Sequence, residues 1–253
     1  MGTVRPPSSL PLLLLPGTLC DERVFAPLIA RLPNQPVLLA EMTGAATTPD
    51  LAERILRRAP DRFALLGFSL GGIVALEMIH QAPHRIAALA LVDTTARADQ
   101  VANAAIRRGA VERARAHGMA SYIDDAWPDH VSPVNAGRRD LRDLLVAMAE
   151  RGGADALASQ TEVAIHRADS RPRLPQIEVP TLVLCGQDDG ICRPDLHREI
   201  ADLIPTSTLA IVPDAGHFLL VEKPDEVAAP VRRWLASVHP GVDERRYLER
   251  GDP

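Results

Sequence analysis

Short runs that are apolar at nearly every position alternate along this chain with longer segments of helical spacing. Strands that are buried on both faces, as in a parallel sheet covered by helices, have this continuous apolar character. The sequence therefore predicts an α/β fold: a doubly wound, mostly parallel sheet of about six strands. The predicted strands cover residues 10–15, 37–40, 63–66, 86–92, 181–185 and 208–212.

The segments between these strands have the spacing of helices, each beginning at or beside a proline or a polar residue. The predicted helices cover residues 49–58, 70–81, 194–204 and 224–238. Residues 97–171 break the alternation, because they contain only helical spacing; Gly152-Gly153 is expected to end the clearest helix there. We expect residues 1–96 and 172–253 to form one core and residues 97–171 to form a helical insertion. The polar tail after His239 is expected to dock loosely or fray.

Composition and charge limit the kinds of molecule that this protein is expected to bind. The 253 residues are 46% hydrophobic and 24% charged, which is ordinary for a folded protein, and the net charge of -5 provides no basic face for nucleic acid. No run approaches the roughly 20 apolar residues of a membrane span, and residues 1–18 lack the cleavage site of a signal peptide. The three cysteines show no C-x-x-C spacing, which favours a reducing cytoplasm. The sequence does not indicate an oligomeric state.

The strongest chemical signal is Gly67-Phe68-Ser69-Leu70-Gly71, which lies between a predicted strand and a predicted helix. A G-x-S-x-G turn in this context strains the serine backbone and exposes its hydroxyl at the carboxyl end of the strand. Glycine-rich turns also bind phosphate, but neither G-x-G-x-x-G nor the P-loop pattern is present. Ser69 is therefore the predicted nucleophile.

A serine nucleophile needs a base, and a histidine base needs an acid that holds its tautomer. His217 lies in a loop just after the last predicted strand, in Gly216-His217-Phe218. The other seven histidines are expected to be solvated surface residues. The loop after residues 181–185 contains Asp188 and Asp189, of which only one can orient His217. In either case the chain order is serine, acid, histidine.

With these motifs the chain resembles the α/β-hydrolase superfamily over essentially its whole length. The segment 15–18 resembles the family's H-G-x loop, the segment 67–71 its nucleophile elbow, 186–194 its acid loop, and 216–217 its histidine loop. The resemblance implies that the acid is Asp189, with Asp188 and the strand-ending Asp93 as alternatives. Its fold has a helical lid over the catalytic face, which would be residues 97–171.

The resemblance also implies an oxyanion hole formed by the backbone N–H groups of Thr18 and Leu70. Pro16 stands where many members have histidine, and few residues precede the first strand, so we expect six strands without the family's usual opening hairpin. Cys20 and Asp21 either face the pocket or are a buried thiol and a helix cap. The candidate substrate-pocket residues are Leu19, Phe68, Tyr122, Trp127 and Phe218, of which Tyr122 and Trp127 are more typical of lid packing.

The predicted function is hydrolysis of a small-molecule ester, lactone or thioester through an acyl-serine intermediate, with no cofactor and no metal. Relatives with the same residues also catalyse C–C bond hydrolysis or cofactor-free lyase and synthase reactions, and some such scaffolds are ligand receptors. Serine rather than aspartate at the elbow argues against dehalogenase or epoxide hydrolase chemistry.

Overall fold

One six-stranded sheet forms the centre of the computed structural model, which describes residues 10–238. Its strands are β1 (Leu12–Leu15), β2 (Val37–Leu39), β3 (Phe63–Phe68), β4 (Ile86–Val92), β5 (Thr181–Gly186) and β6 (Ser207–Val212). Their order is β2-β1-β3-β4-β5-β6, and every neighbouring pair is parallel. The doubly wound, six-stranded α/β fold is thereby confirmed. The predicted polar tail after His239 and the first half of the segment considered as a signal peptide, residues 1–9, lie outside the described residues.

Helices connect the strands, and nine α-helices fall within the described part of the chain. They are α1 (Ala26–Ile29), α2 (Thr48–Leu56), α3 (Leu70–Gln81), α4 (Val101–His117), α5 (Met119–His130), α6 (Arg139–Ile165), α7 (Pro194–Leu203), α8 (Leu219–Glu222) and α9 (Pro224–Ser237). Across residues 10–238, none of these helices combines the length and apolar character needed to cross a bilayer.

The apolar runs of the central strands β1, β3, β4 and β5 form strands because these strands are covered on both faces, whereas the edge strand β2 is partly exposed. In β1, Leu12 and Leu14 contribute to one core cluster, whereas Leu13 and Leu15 contribute to the other. Successive side chains of a strand point to opposite faces, so a strand between two helical layers must be apolar throughout. Each fully buried leucine stabilises the fold by roughly 1.5–3 kcal/mol relative to an exposed one.

Two helical layers complete these cores. One layer contains α1, α8 and α9 together with residues of α4–α6, and the other contains mainly α2, α3 and α7. Between β4 and β5 the chain forms α4, α5 and α6, which pack on one another. The predicted end of a helix at Gly152-Gly153 is only partly right. Gly153 leaves helical geometry with φ 73°, but a second helical stretch continues from there to Ile165.

The parallel arrangement brings distant loops to one edge of the sheet. The segments that follow β1, β3, β4, β5 and β6 all begin at the carboxyl ends of their strands. Candidate residues separated by more than a hundred positions in the chain therefore meet there, as is general for ligand sites of open α/β sheets.

Candidate active site

Ser69 lies at the sharp turn between β3 and α3, in a conformation that serine rarely adopts. Its φ of 53° and ψ of -115° place it outside the helical and extended regions. The turn requires the flanking glycines, because a Cβ on Gly67 would lie 2.4 Å from the Gly71 carbonyl oxygen and one on Gly71 would lie 2.0 Å from that of Leu15. The Thr94 hydroxyl donates to the Ser69 carbonyl at 2.8 Å, so a neighbouring strand end braces the turn.

A hydrogen-bonded chain joins Ser69 to His217 and Asp189. The distance from Ser69 Oγ to His217 Nε2 is 2.9 Å, and that from His217 Nδ1 to Asp189 Oδ2 is 2.8 Å. His217 is 3% exposed and Asp189 is 2% exposed, while Ser69 is half-buried. An ionised carboxylate only accepts hydrogen bonds, so the His217 proton belongs on Nδ1 and Nε2 is left to accept from the serine hydroxyl. The three side chains expected from the sequence are thus brought together in this order.

Asp189 is held as a carboxylate by its loop. Its Oδ1 accepts the N–H groups of Ile191 and Cys192, both at 2.8 Å, which leaves Oδ2 for His217. Burial by itself raises the pKa of Asp189, but the His217 ring and these two N–H groups outweigh burial, so the pKa lies below its ordinary value. The carboxylate is therefore ionised at neutral pH.

The two alternative acids have other partners. Asp188 Oδ2 accepts the Ser132 hydroxyl at 2.6 Å. Asp93 is fully buried at the end of β4, where its Oδ1 accepts the Gly186 N–H at 3.0 Å and its Oδ2 has no partner among the described residues. Burial and the adjacent Asp189 charge raise the pKa of Asp93 well above its usual value. Of the three candidates, the described contacts join only Asp189 to His217.

The His217 loop is anchored by Glu222, which sequence reasoning missed. Glu222 is 5% exposed and accepts the N–H groups of Gly216 at 3.0 Å and Ser132 at 2.9 Å, together with the Asn135 side-chain amide at 2.9 Å. It thereby ties the loop to the segment that follows α5. The sequence contained a signal for this role. Glu222 directly follows the apolar residues 218–221, and an acid that is buried with such a run needs hydrogen-bond partners.

Two histidines differ from the surface role expected of them. His197 on α7 is 0% exposed; its Nε2 accepts the Thr94 N–H at 2.9 Å, and burial lowers its pKa to about 4. His130 is half-buried, with its ring centroid 5.6 Å from that of His217, and burial together with His217 lowers its pKa to about 4. Apolar burial favours the neutral imidazole, so both rings are uncharged at neutral pH. His239 lies outside the described residues.

The two backbone donors expected for an oxyanion hole belong to segments that meet at Ser69. Leu70 begins α3, and Thr18 follows the close approach of Gly17 to the Ser69 side chain, where a Gly17 Cβ would lie 3.1 Å from Ser69 Cβ. Within residues 10–238, neither the Thr18 nor the Leu70 N–H donates to a protein acceptor. Both donors are thus available to a ligand.

The segment after Thr18 is compact. Cys20 is half-buried and its Sγ contacts the Thr18 carbonyl at 3.4 Å. Asp21 accepts the Arg23 N–H at 3.0 Å and caps the short helix Glu22–Val24. The helix-cap interpretation of Asp21 is therefore correct.

The candidate pocket residues divide into two groups. Phe68 and Phe218 are buried beside His217, with ring centroids 5.4 Å and 5.7 Å from its ring. Tyr122 and Trp127 are half-buried against the same core, and Trp127 Nε1 donates to the Ala136 carbonyl at 3.1 Å. This hydrogen bond agrees with the packing role that the sequence favoured for Trp127 over contact with a substrate. Leu19 is buried in the loop after β1.

One group of side chains in the described part of the chain has the atoms and proximity of a metal site. Ligand atoms of Asp189, Cys192 and His217 lie within 4.8 Å of one another. Two of the three are already committed to the hydrogen bond between His217 and Asp189, and burial raises the pKa of the Cys192 thiol well above its usual value. A metal ligand must be deprotonated, so these residues suit proton transfer better than metal binding.

The fold and this serine-centred site define an α/β protein of the hydrolase class. Residues 12–229 match the family model described as the alpha/beta hydrolase family, and the chain belongs to that family. It is similar to a thermophilic esterase from Thermogutta terrifontis, with 29% sequence identity, a TM-score of 0.83 and coverage of 91% of each chain.

Two further relatives differ in the reactions that their names describe. The enol-lactonase from Burkholderia xenovorans LB400 has 26% sequence identity and a TM-score of 0.75, over 90% of this chain and 92% of that chain. The putative 2-succinyl-6-hydroxy-2,4-cyclohexadiene-1-carboxylate synthase of Bacillus subtilis (strain 168) is 27% identical over 204 residues, which cover 75% of this chain and 71% of the relative. The relatives thus include hydrolases and a synthase.

Proposed function

We propose that this protein is a serine hydrolase that cleaves a small, uncharged carboxylic ester, lactone or thioester through an acyl-serine intermediate. The observation that carries the proposal is the buried hydrogen-bonded chain from Ser69 Oγ to His217 and Asp189. A hydroxyl, an imidazole and an ionised carboxylate in this order are the parts that acyl transfer needs.

In the proposed mechanism, Ser69 Oγ attacks the substrate carbonyl while His217 Nε2 takes the hydroxyl proton. Asp189 keeps the other His217 proton on Nδ1 and stabilises the imidazolium ion. His217 then gives its proton to the leaving oxygen or sulfur, and the C–O or C–S bond breaks to leave Ser69 acylated. A water molecule, deprotonated by His217, attacks the acyl-serine and releases the carboxylic acid.

The negative charge that develops on the carbonyl oxygen requires preorganised donors. We assign this role to the Thr18 and Leu70 N–H groups, whose hydrogen-bonding capacity is free within the described residues. We assign the segment 97–171 as a lid whose helices α4–α6 cover the pocket, with Leu19, Phe68 and Phe218 on its walls. Removal of one such donor lowers kcat by about 10²- to 10³-fold in serine hydrolases.

Covalent labelling tests the proposal. A fluorophosphonate should phosphonylate the wild-type protein once, on the peptide that contains Ser69, because only an activated serine displaces fluoride from the probe. Ser69→Ala should not be labelled. Intact-protein and peptide mass spectrometry provide the measurement. A folded wild-type protein that resists labelling would contradict the proposed acyl-serine mechanism and favour a ligand receptor.

The second candidate function is cleavage or formation of a C–C bond with the same residues, favoured by the similarity to the synthase. Such a substrate would also place its carbonyl between Ser69 and the two N–H donors. A synthase would act on a carbon acid without acylating Ser69, so trapping of an acyl-serine from a slow ester substrate distinguishes the two reactions.

The ion pairs of the arginines in α4–α6 indicate which substrate charge the pocket can accept. Most arginines of α4–α6 form ion pairs with acids and so do not offer free guanidinium groups to a ligand. The pairs are Arg107–Asp99, Arg108–Glu162, Arg115–Asp155, Arg142–Asp124 and Arg151–Glu22. Burying an unpaired substrate carboxylate among apolar walls costs several kcal/mol.

We therefore expect neutral short-chain aryl esters to have a higher kcat/KM than matched esters with a carboxylate on the acyl side. The two kcat/KM values, measured at one ionic strength, decide the point. A tenfold preference for the charged ester, about 1.4 kcal/mol, would contradict it and indicate a guanidinium that faces the pocket. Arg107 is the residue to replace in that case, because Arg107 and Arg167 share Asp99 and one positive charge is in excess there.

A further inference from the structure

The loop after β1 contains an unusual backbone conformation next to the proposed oxyanion donor. Leu19 has a φ of 58°, in the left-handed region that a leucine seldom adopts. It directly follows Thr18, so rotation about its backbone bonds moves the Gly17–Thr18 peptide group whose N–H we assign to the oxyanion hole. Strained residues of this kind persist only where the surrounding structure holds them.

The group that holds Leu19 comes from the far part of the chain. The Leu19 N–H donates to Gln160 Oε1 at 2.8 Å, across a separation of 141 residues. Gln160 lies on the second stretch of α6, beyond the break at Gly153, and its side chain is 4% exposed. Its Nε2 donates to the Met42 carbonyl at 3.3 Å. Both ends of this buried amide are therefore used, which fixes the position of Oε1.

Further contacts join α6 to the same loop. The Arg23 guanidinium donates to the Ala147 carbonyl at 3.1 Å, and Arg151 pairs with Glu22 at 2.7 Å. A Cβ on Gly152 would lie 3.0 Å from Leu19 Cδ2, so Leu19 packs directly on the α6 backbone near the break. These contacts place α6 against the loop, which is closed by the Cys20 N–H on the Gly17 carbonyl at 3.1 Å; within residues 10–238 it is Gln160 that accepts the Leu19 N–H.

We propose that Gln160 is a positioning residue for the oxyanion hole: by accepting the Leu19 N–H it holds the left-handed turn that aims the Thr18 N–H at the reacting carbonyl. The inference rests on the proposed function, since it concerns the same site. Gln160 does not touch the substrate in this role. It acts through the Leu19 backbone and makes the geometry of the hole depend on the position of α6.

Loss of the Gln160 amide has a specific consequence. The Leu19 N–H would be buried without an acceptor, and relaxation of Leu19 out of the left-handed region would restore hydration at the cost of the Thr18 orientation. Ground-state binding depends mainly on the pocket walls, whereas the oxyanion exists only in the transition state. The defect should therefore lower kcat and leave KM nearly unchanged.

Gln160→Met, which matches the length of the side chain but removes both polar groups, tests this proposal. We expect kcat to fall tenfold or more with KM within twofold of wild type. The inhibition constant for a trifluoromethyl ketone, whose hemiketal oxygen occupies the oxyanion hole, should rise by a similar factor. Gln160→Asn, whose shorter amide cannot reach Leu19, should show the same pattern and keeps a polar group if the methionine variant does not fold.

Ser159→Ala is the matched control. Its hydroxyl donates to the Ala45 carbonyl at 3.2 Å, so it removes a neighbouring α6 contact that does not involve the loop after β1. We expect kcat and the inhibition constant to stay within twofold of wild type. Folded Gln160 variants with wild-type kcat and inhibitor affinity would overturn the positioning role. Failure of fluorophosphonate to label wild-type Ser69 would instead overturn the proposed function itself.

Discussion

Replacement of His217 with alanine should lower kcat by about 10⁴- to 10⁶-fold, because the serine hydroxyl then has no base and the leaving group has no acid. In the structure His217 is the residue that contacts both Ser69 Oγ and Asp189 Oδ2. Steady-state hydrolysis of a chromogenic ester measures the loss. A background rate set by the oxyanion hole and substrate binding should remain above the uncatalysed rate.

The control for this prediction is another histidine on a catalytic-edge element. His80→Ala removes an exposed ring near the end of α3, the helix that begins directly after Ser69, and should keep kcat within twofold of wild type. Circular dichroism should show intact folding of both variants. Turnover by His217→Ala within tenfold of wild type would remove His217 from the proposed mechanism and leave Ser69 without an assigned base.

The second large effect is expected from Asp189→Asn, with a loss of about 10⁴-fold in kcat. The two N–H groups of Ile191 and Cys192 at Oδ1 would retain the amide oxygen of the asparagine. Its NH₂ group would then point at His217 Nδ1 and donate to it. That contact forces the proton of the neutral imidazole onto Nε2, which can no longer accept from the Ser69 hydroxyl.

Two other aspartates serve as controls. Asp93→Asn should change kcat much less, because the described contact of the Asp93 carboxyl is with the Gly186 N–H and not with His217, and an amide oxygen can accept the same N–H. Within residues 10–238 the Asp188 carboxylate accepts the Ser132 hydroxyl and does not contact His217, so Asp188→Asn should also be mild. Measurement of kcat for the three variants at one pH gives the order of their effects. If Asp93→Asn proved the most damaging, Asp93 rather than Asp189 would be the acid that acts on His217.

The surroundings of the site show why its geometry can be kept rigid. Asp93, Asp189 and Glu222 are buried carboxyl groups near one another, and each receives at least one backbone N–H group. Both carboxylate oxygens of Asp189 and of Glu222 have partners, and buried polar groups that are satisfied in this way specify a single arrangement of loops. Such a site tolerates substitutions poorly, because removal of one partner leaves a buried polar group without a hydrogen bond.

The local pattern of apolar residues and glycines determined the secondary-structure elements of this protein. The continuous apolar run 86–92 matched a strand to the residue, and the other five predicted strands matched to within two residues at each end, because a strand covered on both faces needs that pattern. The glycines around Ser69 likewise indicated the strained turn: a Cβ on Gly67 would clash with Gly71, four residues away, although the clash that requires Gly71 is with Leu15 on β1. The break in α6 could be located at Gly153, but the helix beyond it depends on packing against the core.

Only the tertiary structure decided which side chains meet. Spacing and resemblance favoured Asp189 over Asp188 and Asp93, but the hydrogen bond to His217 depends on how the loops after β5 and β6 lie together. His197 looked ordinary in sequence, and the apolar run before Glu222 indicated that this acid is buried but not which groups it contacts, because partners from other elements are not encoded in neighbouring residues. The same holds for Gln160, whose contact with Leu19 spans 141 residues. Strand and turn propensities act over a few residues, whereas the energy of a buried hydrogen bond depends on a partner that only folding brings near.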